Sequence, residues 1–284
     1  MTQLNFSEPP SIGKSMMKAL FLPRKGYKQG AVWPQIKGQL GPLAIDQQKY
    51  KKYCEVCQIP ASDDLPLLYP HVLSSSLHMQ ILTDKAFPLK LLGAVHLRNK
   101  IIVHQNITVN DQLLFKVELK DKLILKGGIE FSFSTQAYSN DKLVWESLTT
   151  YYKRGKFGTI DAETSPVNMV TLENTEKVTS WYLNKNLGKA YAKVCNDYNP
   201  IHVSKTLAKL FGFKRDVAHG MGVLTTALDR VKTSQIQYPF KNEVIFKGPL
   251  FLESEVSVVK SPQTPGRFDV YCGTNNRPSI CFSL

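Results

Sequence analysis

The spacing of apolar residues in the first half of the chain predicts one helix followed by a run of strands. Apolar positions recur three and four residues apart within residues 66–87, which indicates a helix that ends before Pro88. Strand-like runs follow at residues 95–107, 112–124, 128–139 and 142–154, with turn residues between them. This order favours a helix packed on an antiparallel sheet.

The second half of the chain repeats the same order. Residues 155–175 are rich in Gly, Pro, Ser, Thr and Asn and predict a linker. A helix-like run follows at 220–234, and then come strand-like runs at 242–252, 254–261, 267–273 and 279–284. A helix followed by strands, found twice, indicates two copies of one fold. The repeat lies in the order of the elements, because the two halves show no clear sequence identity.

The region before these two units predicts less regular structure. Residues 1–45 are rich in Pro, Gly and Lys and predict an irregular arm, whereas residues 46–59 predict one short helix that Pro60 stops. The apolar run at 16–22 is too short for a secretory signal and lacks a cleavage site. We expect it to pack on the body of the protein, with a peripheral membrane contact as the alternative.

Potentially catalytic side chains are most concentrated in residues 190–226. Asp197 and His202 stand five positions apart around Asn199-Pro200, and the proline forces the preceding helix to end near Asp197. A carboxylate and an imidazole held in one tight turn can share a water molecule, as general acid and base catalysis requires. The alternative is a turn in which Asp197 caps neighbouring amides and His202 is a surface residue.

The sequence Asp-Tyr-Asn-Pro-Ile-His, followed by Ala-His-Gly-Met, resembles the hydratase 2 motif of (R)-specific enoyl-CoA hydratases, the MaoC-like dehydratases. The resemblance implies that Asp197 and His202 are the catalytic pair and that Asn199 holds the turn. It implies that Gly220 offers a backbone N–H to the thioester oxygen of the substrate. It also places Thr225 roughly where some members carry a hydroxyl. We expect His219 to be a structural hydrogen-bond partner.

The resemblance further implies an α+β fold of two fused hotdogs, each a central helix wrapped by a curved antiparallel sheet, with the two sheets side by side. None of the first-half histidines has an Asp five residues before it, and the two in strand-like runs, His96 and His104, are expected to be structural. We therefore expect four parts: an N-terminal arm with a short helix, a degenerate hotdog that helps to form the acyl tunnel, a linker and a catalytic hotdog. Their respective bounds are 1–60, 61–154, 155–175 and 176–284.

The charge of the chain favours polyanionic partners. Its 36 Lys and Arg residues against 23 Asp and Glu residues give a formal net charge of +13. A nucleic-acid partner is not expected, because no basic arm or aromatic-basic signature occurs. Coenzyme A or an acyl carrier protein fits the basic surface, and Lys205, Lys209, Lys214 and Arg215 could bind phosphates near the site. We expect a monomeric double hotdog or a homodimer, without stable membrane insertion.

The five cysteines indicate neither a disulfide framework nor a metal site. Their number is odd and they are scattered, so we expect reduced thiols in a cytoplasmic protein. Cys54 and Cys57 form a CxxC pair without a second pair at metal-binding distance. Cys195 is expected to be a small buried residue, and no metal or redox cofactor is called for.

These observations together predict an enzyme, a hydro-lyase that hydrates trans-2-enoyl thioesters reversibly in the syn sense to (R)-3-hydroxyacyl thioesters. Two alternatives stay open. A hotdog acyl-thioesterase would release free thiol, because the same fold also supports thioester hydrolysis. A non-catalytic acyl-thioester-binding protein would bind without turnover.

Overall fold

The computed structural model describes residues 1–11, 26–27, 29–91, 93–232 and 236–284. The apolar run at 16–22 lies outside the described residues. The strands are β1 (Thr2–Phe6), β2 (Ile36–Ala44), β3 (Ala94–Val103), β4 (Gln112–Leu125), β5 (Gly128–Ser139), β6 (Lys142–Arg154), β7 (Glu176–Leu183), β8 (Phe240–Phe246), β9 (Ser254–Lys260), β10 (Arg267–Cys272) and β11 (Ile280–Ser283). The helices are α1 (Gln47–Cys57), α2 (Tyr69–Thr83), α3 (Leu187–Cys195), α4 (Pro200–Val203), α5 (Lys205–Leu210) and α6 (Gly220–Val231).

All eleven strands belong to one sheet, in the order β1-β2-β4-β5-β6-β3-β8-β11-β10-β9-β7. The strands of the first half occupy one side of this order and those of the second half occupy the other. They meet where β3 pairs antiparallel with β8, with Arg98 opposite Ile245 and Val103 opposite Phe240. The two halves therefore share one continuous sheet, as the hotdog resemblance implies.

A largely buried helix lies against the sheet in each half. Helix α2 buries residues on almost every side, and its Leu77 side chain packs closely on β2, where a Cβ atom at Gly38 would lie 2.6 Å from it. Helix α6 buries eight of its twelve residues. In the described part of the chain, no helix has both the length and the apolar character to span a membrane.

The prediction of an irregular arm for residues 1–45 is wrong in two places. Residues 2–6 form β1, which pairs in parallel with β2 at residues 36–44, and β2 in turn pairs with β4. Strand β7 at residues 176–183 also has no counterpart among the predicted strands; it pairs with β9. Three strands that the sequence pattern misses thus extend the sheet at its two ends.

Helix α1 precedes the first hotdog in sequence but packs on helices of the second half. The Tyr53 hydroxyl and the Thr225 hydroxyl are hydrogen-bonded at 2.7 Å, and Thr226 Oγ1 donates to the carbonyl of Cys57 at 2.7 Å. The N-terminal region is therefore an integral part of the core around α6. The bounds of the predicted arm, hotdogs and linker remain a prediction.

Candidate active site

The turn that carries Asp197 is built by local backbone chemistry. Helix α3 ends at Cys195, and Asn196 adopts the left-handed conformation (φ 58°) that commonly ends a helix. The Asn199 amide donates to Asp197 Oδ1 at 3.0 Å, and Asn199 Oδ1 accepts from the Ile201 amide at the start of α4. Asp197 therefore caps an amide, as the structural alternative predicts, while its second oxygen, Oδ2, is left for other groups.

His202 faces this second carboxylate oxygen. Its Nδ1–H donates to the carbonyl of Val217 at 2.8 Å, which fixes the proton on Nδ1 in the neutral ring. The other nitrogen, Nε2, then carries a lone pair and lies 3.9 Å from Asp197 Oδ2. The two atoms are too far apart for a direct hydrogen bond and close enough to accept hydrogens from one water molecule.

His219 completes the cluster from the residue before α6. Its Nε2–H donates to the backbone carbonyl of Asp197 at 2.9 Å, and the same nitrogen lies 3.8 Å from Asp197 Oδ2. The ring stacks on that of His202 with centroids 3.7 Å apart, and Tyr191 packs on it at 4.9 Å. This hydrogen bond is of the kind expected for a structural histidine.

The electrostatics of the cluster favour an ionised Asp197 beside a neutral His219. Partial desolvation opposes ionisation of Asp197, but His219, His202 and the Asn199 amide outweigh it and hold its pKa below the usual value. Burial, together with the adjacent His202, lowers the pKa of His219 to about 3. The Asp197 side chain is 44% exposed, whereas that of His219 is 5% exposed, so solvent reaches the cluster from the Asp197 side.

Gly220 begins α6, where the first amides have no acceptor within the helix. Partial positive charge gathers at such an end, and no side chain caps it from His219. A Cβ atom on Gly220 would lie 2.6 Å from the ring of Phe246, so the ring or the start of the helix would have to shift to admit a side chain. The end of α6 can therefore approach a negatively charged oxygen closely.

Only some of the remaining predicted substrate-binding residues lie near Asp197 and His202 with side chains available for a substrate. Asn199 lies in the turn between Asp197 and His202 and caps α4, and Lys205 and Lys214 are exposed beyond it. Arg215 is already engaged by Asp216 and Glu253, which leaves its guanidinium less available for a phosphate. Thr225 is buried, and its hydroxyl is used by Tyr53 and the Met221 carbonyl, so the structure does not bring it to the Asp197 and His202 pair.

Individual residues of the first half also border the site, and the sequence alone did not identify them. The hydroxyl of Ser75, on α2, donates to the Cys195 carbonyl at 3.0 Å, two residues before Asp197. The ring of His96, on β3, packs on that of Phe246 with centroids 4.8 Å apart, and His96 helps to lower the pKa of Asp197. The strand pattern around His96 contains no signal for this contact, because it depends on the pairing of β3 with β8.

Asp197, His202 and His219 also form a group whose potential ligand atoms lie within 4.8 Å of one another, the spacing of a metal site. Two of the four ring nitrogens of His202 and His219 are hydrogen-bonded to backbone carbonyls. For Nε2 of His219 to bind a metal, it would have to give up the hydrogen bond that holds Asp197. The donor set therefore fits a proton-transfer site better than a metal site.

Comparisons with known proteins agree with this architecture. Residues 159–261 match the family described as MaoC like domain. The chain is 26% identical over 190 residues to 3-hydroxyacyl-thioester dehydratase X of Mycobacterium tuberculosis, covering 67% of this chain and 68% of that protein. The crystal structure of HtdX from the same organism superposes with a TM-score of 0.72 at 22% identity, covering 88% of this chain and 98% of the other.

A third comparison concerns the fold. A M. tuberculosis protein described as having a double hotdog fold superposes with a TM-score of 0.55 at 11% identity, covering 96% of each chain. At such identity the likeness shows the fold alone. The α+β double hotdog predicted from the sequence is confirmed.

Proposed function

We propose that this chain, which carries a MaoC-like domain at residues 159–261, catalyses the reversible syn hydration of trans-2-enoyl thioesters to (R)-3-hydroxyacyl thioesters. The observation that carries the proposal is the separation of 3.9 Å between Asp197 Oδ2 and His202 Nε2, each with a lone pair facing the other. The relative from M. tuberculosis, named a 3-hydroxyacyl-thioester dehydratase, supports the same class of reaction.

Asp197 and His202 hold one water molecule in the proposed reaction. One of them takes a proton from this water as its oxygen attacks C3 of the enoyl thioester. C2 then receives a proton from the same pair, so the net change is the addition of one water across the double bond. Both events occur on the face of the substrate that meets the pair, which makes the addition syn. Dehydration uses the same groups in reverse.

Gly220 supplies the electrostatic part of the mechanism. Negative charge builds on the thioester oxygen when C3 is attacked, and the free amide at the start of α6 stabilises it. A preorganised donor of this kind lowers the barrier by about 3 kcal/mol. Because Phe246 packs against Gly220, the amide is held in place before the substrate arrives.

The rest of the chain serves this one site in our proposal. The first half is a hotdog without the catalytic motif and forms part of the acyl-binding region, while the second half supplies the reacting groups. The thiol carrier is coenzyme A or an acyl carrier protein, and exposed Lys205 and Lys214 lie on the surface near the catalytic turn to meet its phosphates.

The test is to mix the purified protein with crotonyl-CoA and then with a longer trans-2-enoyl-CoA, following both the enoyl-thioester absorbance and free thiol. Loss of the absorbance without thiol release, abolished by Asp197→Asn, is the expected result. Thiol release would identify a thioesterase. Unchanged absorbance with both coenzyme A and acyl carrier protein thioesters would overturn the proposal.

A further inference from the structure

Unpaired polar atoms are concentrated in the interior where the two halves meet. Of the ten buried side-chain nitrogen and oxygen atoms that lack a protein partner in the described part of the chain, seven belong to six residues. We call these residues the interior polar cluster: His71, His96, Asn99, Ser147, Thr149 and Asn242. Leaving a buried donor or acceptor unpaired is costly, so native proteins rarely keep several together without a use.

Strand register places the cluster on one face of the sheet. Asn99 on β3 lies opposite Thr149 on β6, and Ile101 lies opposite both Ser147 and Asn242. Since alternate residues of a strand share a face, these side chains all point to the same side. Asn99, Thr149 and Asn242 are no more than 2% exposed, so bulk solvent does not satisfy them.

The cluster extends inward from the catalytic site. The ring of His96 packs at a tilt on Phe246, the ring that covers Gly220, with centroids 4.8 Å apart, and it stacks on His71 of α2 at 5.7 Å. Asn99 lies three residues further along β3, roughly 10 Å at the usual rise of a strand. A chain that starts at the Gly220 amide and runs inward would therefore pass His96 and then reach Asn99.

We propose that this cluster binds the acyl chain of the substrate, and that the preferred acyl chain carries a hydroxyl or keto oxygen several carbons beyond C3. The inference rests on the proposed hydratase function. The amide of Asn99 has both its donor and its acceptor unpaired, and Thr149 and Ser147 add hydroxyls that can do either. An oxygen on the chain would bind these groups, whereas a plain alkyl chain would leave them unpaired.

The apolar surroundings fit the rest of such a chain. Phe133, Tyr151 and Phe246 lie on the same face as the cluster, with Phe133 opposite Thr149 and Tyr151 opposite His96. Burial lowers the pKa of His71 to about 4 and of His96 to about 3. Both rings are therefore neutral at physiological pH, which suits an uncharged oxygen and not a carboxylate.

The experiment compares trans-2-decenoyl-CoA with ten-carbon analogues that carry a hydroxyl at C6, C7, C8 or C9. We expect kcat/KM for the best hydroxylated analogue to exceed that for the alkyl substrate by about tenfold to a hundredfold, because the alkyl chain leaves a buried donor or acceptor unpaired. Equal values for all five thioesters would overturn the inference and leave the hydratase function standing.

Two neighbouring threonines provide a matched pair of variants. Thr149→Val removes an unpaired hydroxyl of the cluster, whereas Thr150→Val changes the next residue, which is equally buried but faces the other side and is bonded to Ser132. We expect Thr149→Val to abolish most of the preference for the hydroxylated analogue and Thr150→Val to keep it. Asn99→Leu, similar in shape, repeats the test if Thr149→Val does not fold.

Direct binding measurements distinguish failure of the proposed hydratase function from failure of the polar acyl site. If none of the thioesters is hydrated, calorimetric titration with saturated decanoyl-CoA and its hydroxylated analogues decides the inference separately. Tighter binding of a hydroxylated analogue to the wild-type protein, lost in Thr149→Val, would support the polar acyl site without the hydratase activity. Equal affinities would overturn it.

Discussion

The rings of His202 and His219 stack with centroids 3.7 Å apart, and each presents Nε2 to the same oxygen of Asp197, at 3.9 and 3.8 Å. Two protonated imidazoles at this separation would repel strongly, so at most one of them is charged at a time. The two rings donate to backbone carbonyls through different nitrogens. His202 donates to the carbonyl of Val217 through Nδ1, and His219 donates to that of Asp197 through Nε2. The Nε2 atom of His202 is therefore free to exchange protons, whereas Nε2–H of His219 holds the backbone of Asp197.

The catalytic pair is tested by Asp197→Asn and His202→Ala. Each should lower kcat by about two to four decades, the usual contribution of a positioned acid or base. Far-ultraviolet circular dichroism should be unchanged, because neither side chain is part of the described hydrophobic core. His104→Ala removes a half-exposed histidine whose ring bonds Glu146, and it should retain full activity. Near-normal hydration by either pair variant would rule out the assignment.

His219 is expected to act as a positioning residue. In His219→Ala the Asp197 carbonyl loses its donor and the carboxylate loses a neighbour that lowers its pKa, so that pKa should rise. The acid limb of the kcat/KM profile should then move to higher pH. His219→Gln, which keeps an N–H donor, should restore part of the wild-type profile. An unshifted acid limb in His219→Ala would show that the ring does not act through Asp197.

Gly220 is tested by the addition of one methyl group. In Gly220→Ala the new Cβ would meet the Phe246 ring at 2.6 Å, so the start of α6 or the ring must shift. A misplacement of about 1 Å near a reacting centre can cost a hundredfold, and we expect kcat/KM to fall by about tenfold to a hundredfold. Gly248→Ala, where the nearest atom is 3.7 Å away, is the control. Unaltered kcat/KM in Gly220→Ala would argue against the amide as the oxyanion donor.

Acid should destabilise the protein well above the pH at which most carboxylates titrate. Burial lowers the pKa of His71 to about 4, of His96 and His219 to about 3, and that of His78 well below its usual value. In the unfolded chain these histidines have pKa values of about 6.5, so between that pH and the lower pKa values of the folded state the unfolded chain binds more protons than the folded one. The free energy of unfolding is therefore largest above about pH 6.5 and decreases as the pH falls. Urea unfolding at pH 7.5 and 5.5 measures this, and equal midpoints would contradict it.

The geometry of the turn at residues 197–202 could be predicted from the sequence because all its parts are local. Asp197, Asn199 and His202 fall within six residues, and the proline after Asn199 sets the backbone between them. The helix and strands that follow have clear periodicity. The structure agrees with these predictions at the level of elements, with α3 ending at Cys195 and α6 beginning at Gly220.

Features that depend on long-range pairing could not be predicted. Strand β2 was missed because two glycines and a proline interrupt its alternation, although Ile36, Leu40 and Leu43 are buried. His96 and Phe246 are 150 positions apart along the chain, and their approach follows from the pairing of β3 with β8, which no local pattern records. The partners of Arg215 and Thr225 were likewise set by distant segments.

The antiparallel contact between β3 and β8 joins two strands of different sequence. In an assembly of two identical subunits, a mutation at the shared edge appears twice and must be tolerated in both copies. Here His96 and Phe246 lie across the contact and are encoded separately, so either can change without the other. In the proposed function, the half that carries His96 can thus diverge towards new acyl groups while Asp197 and His202 in the other half stay unchanged.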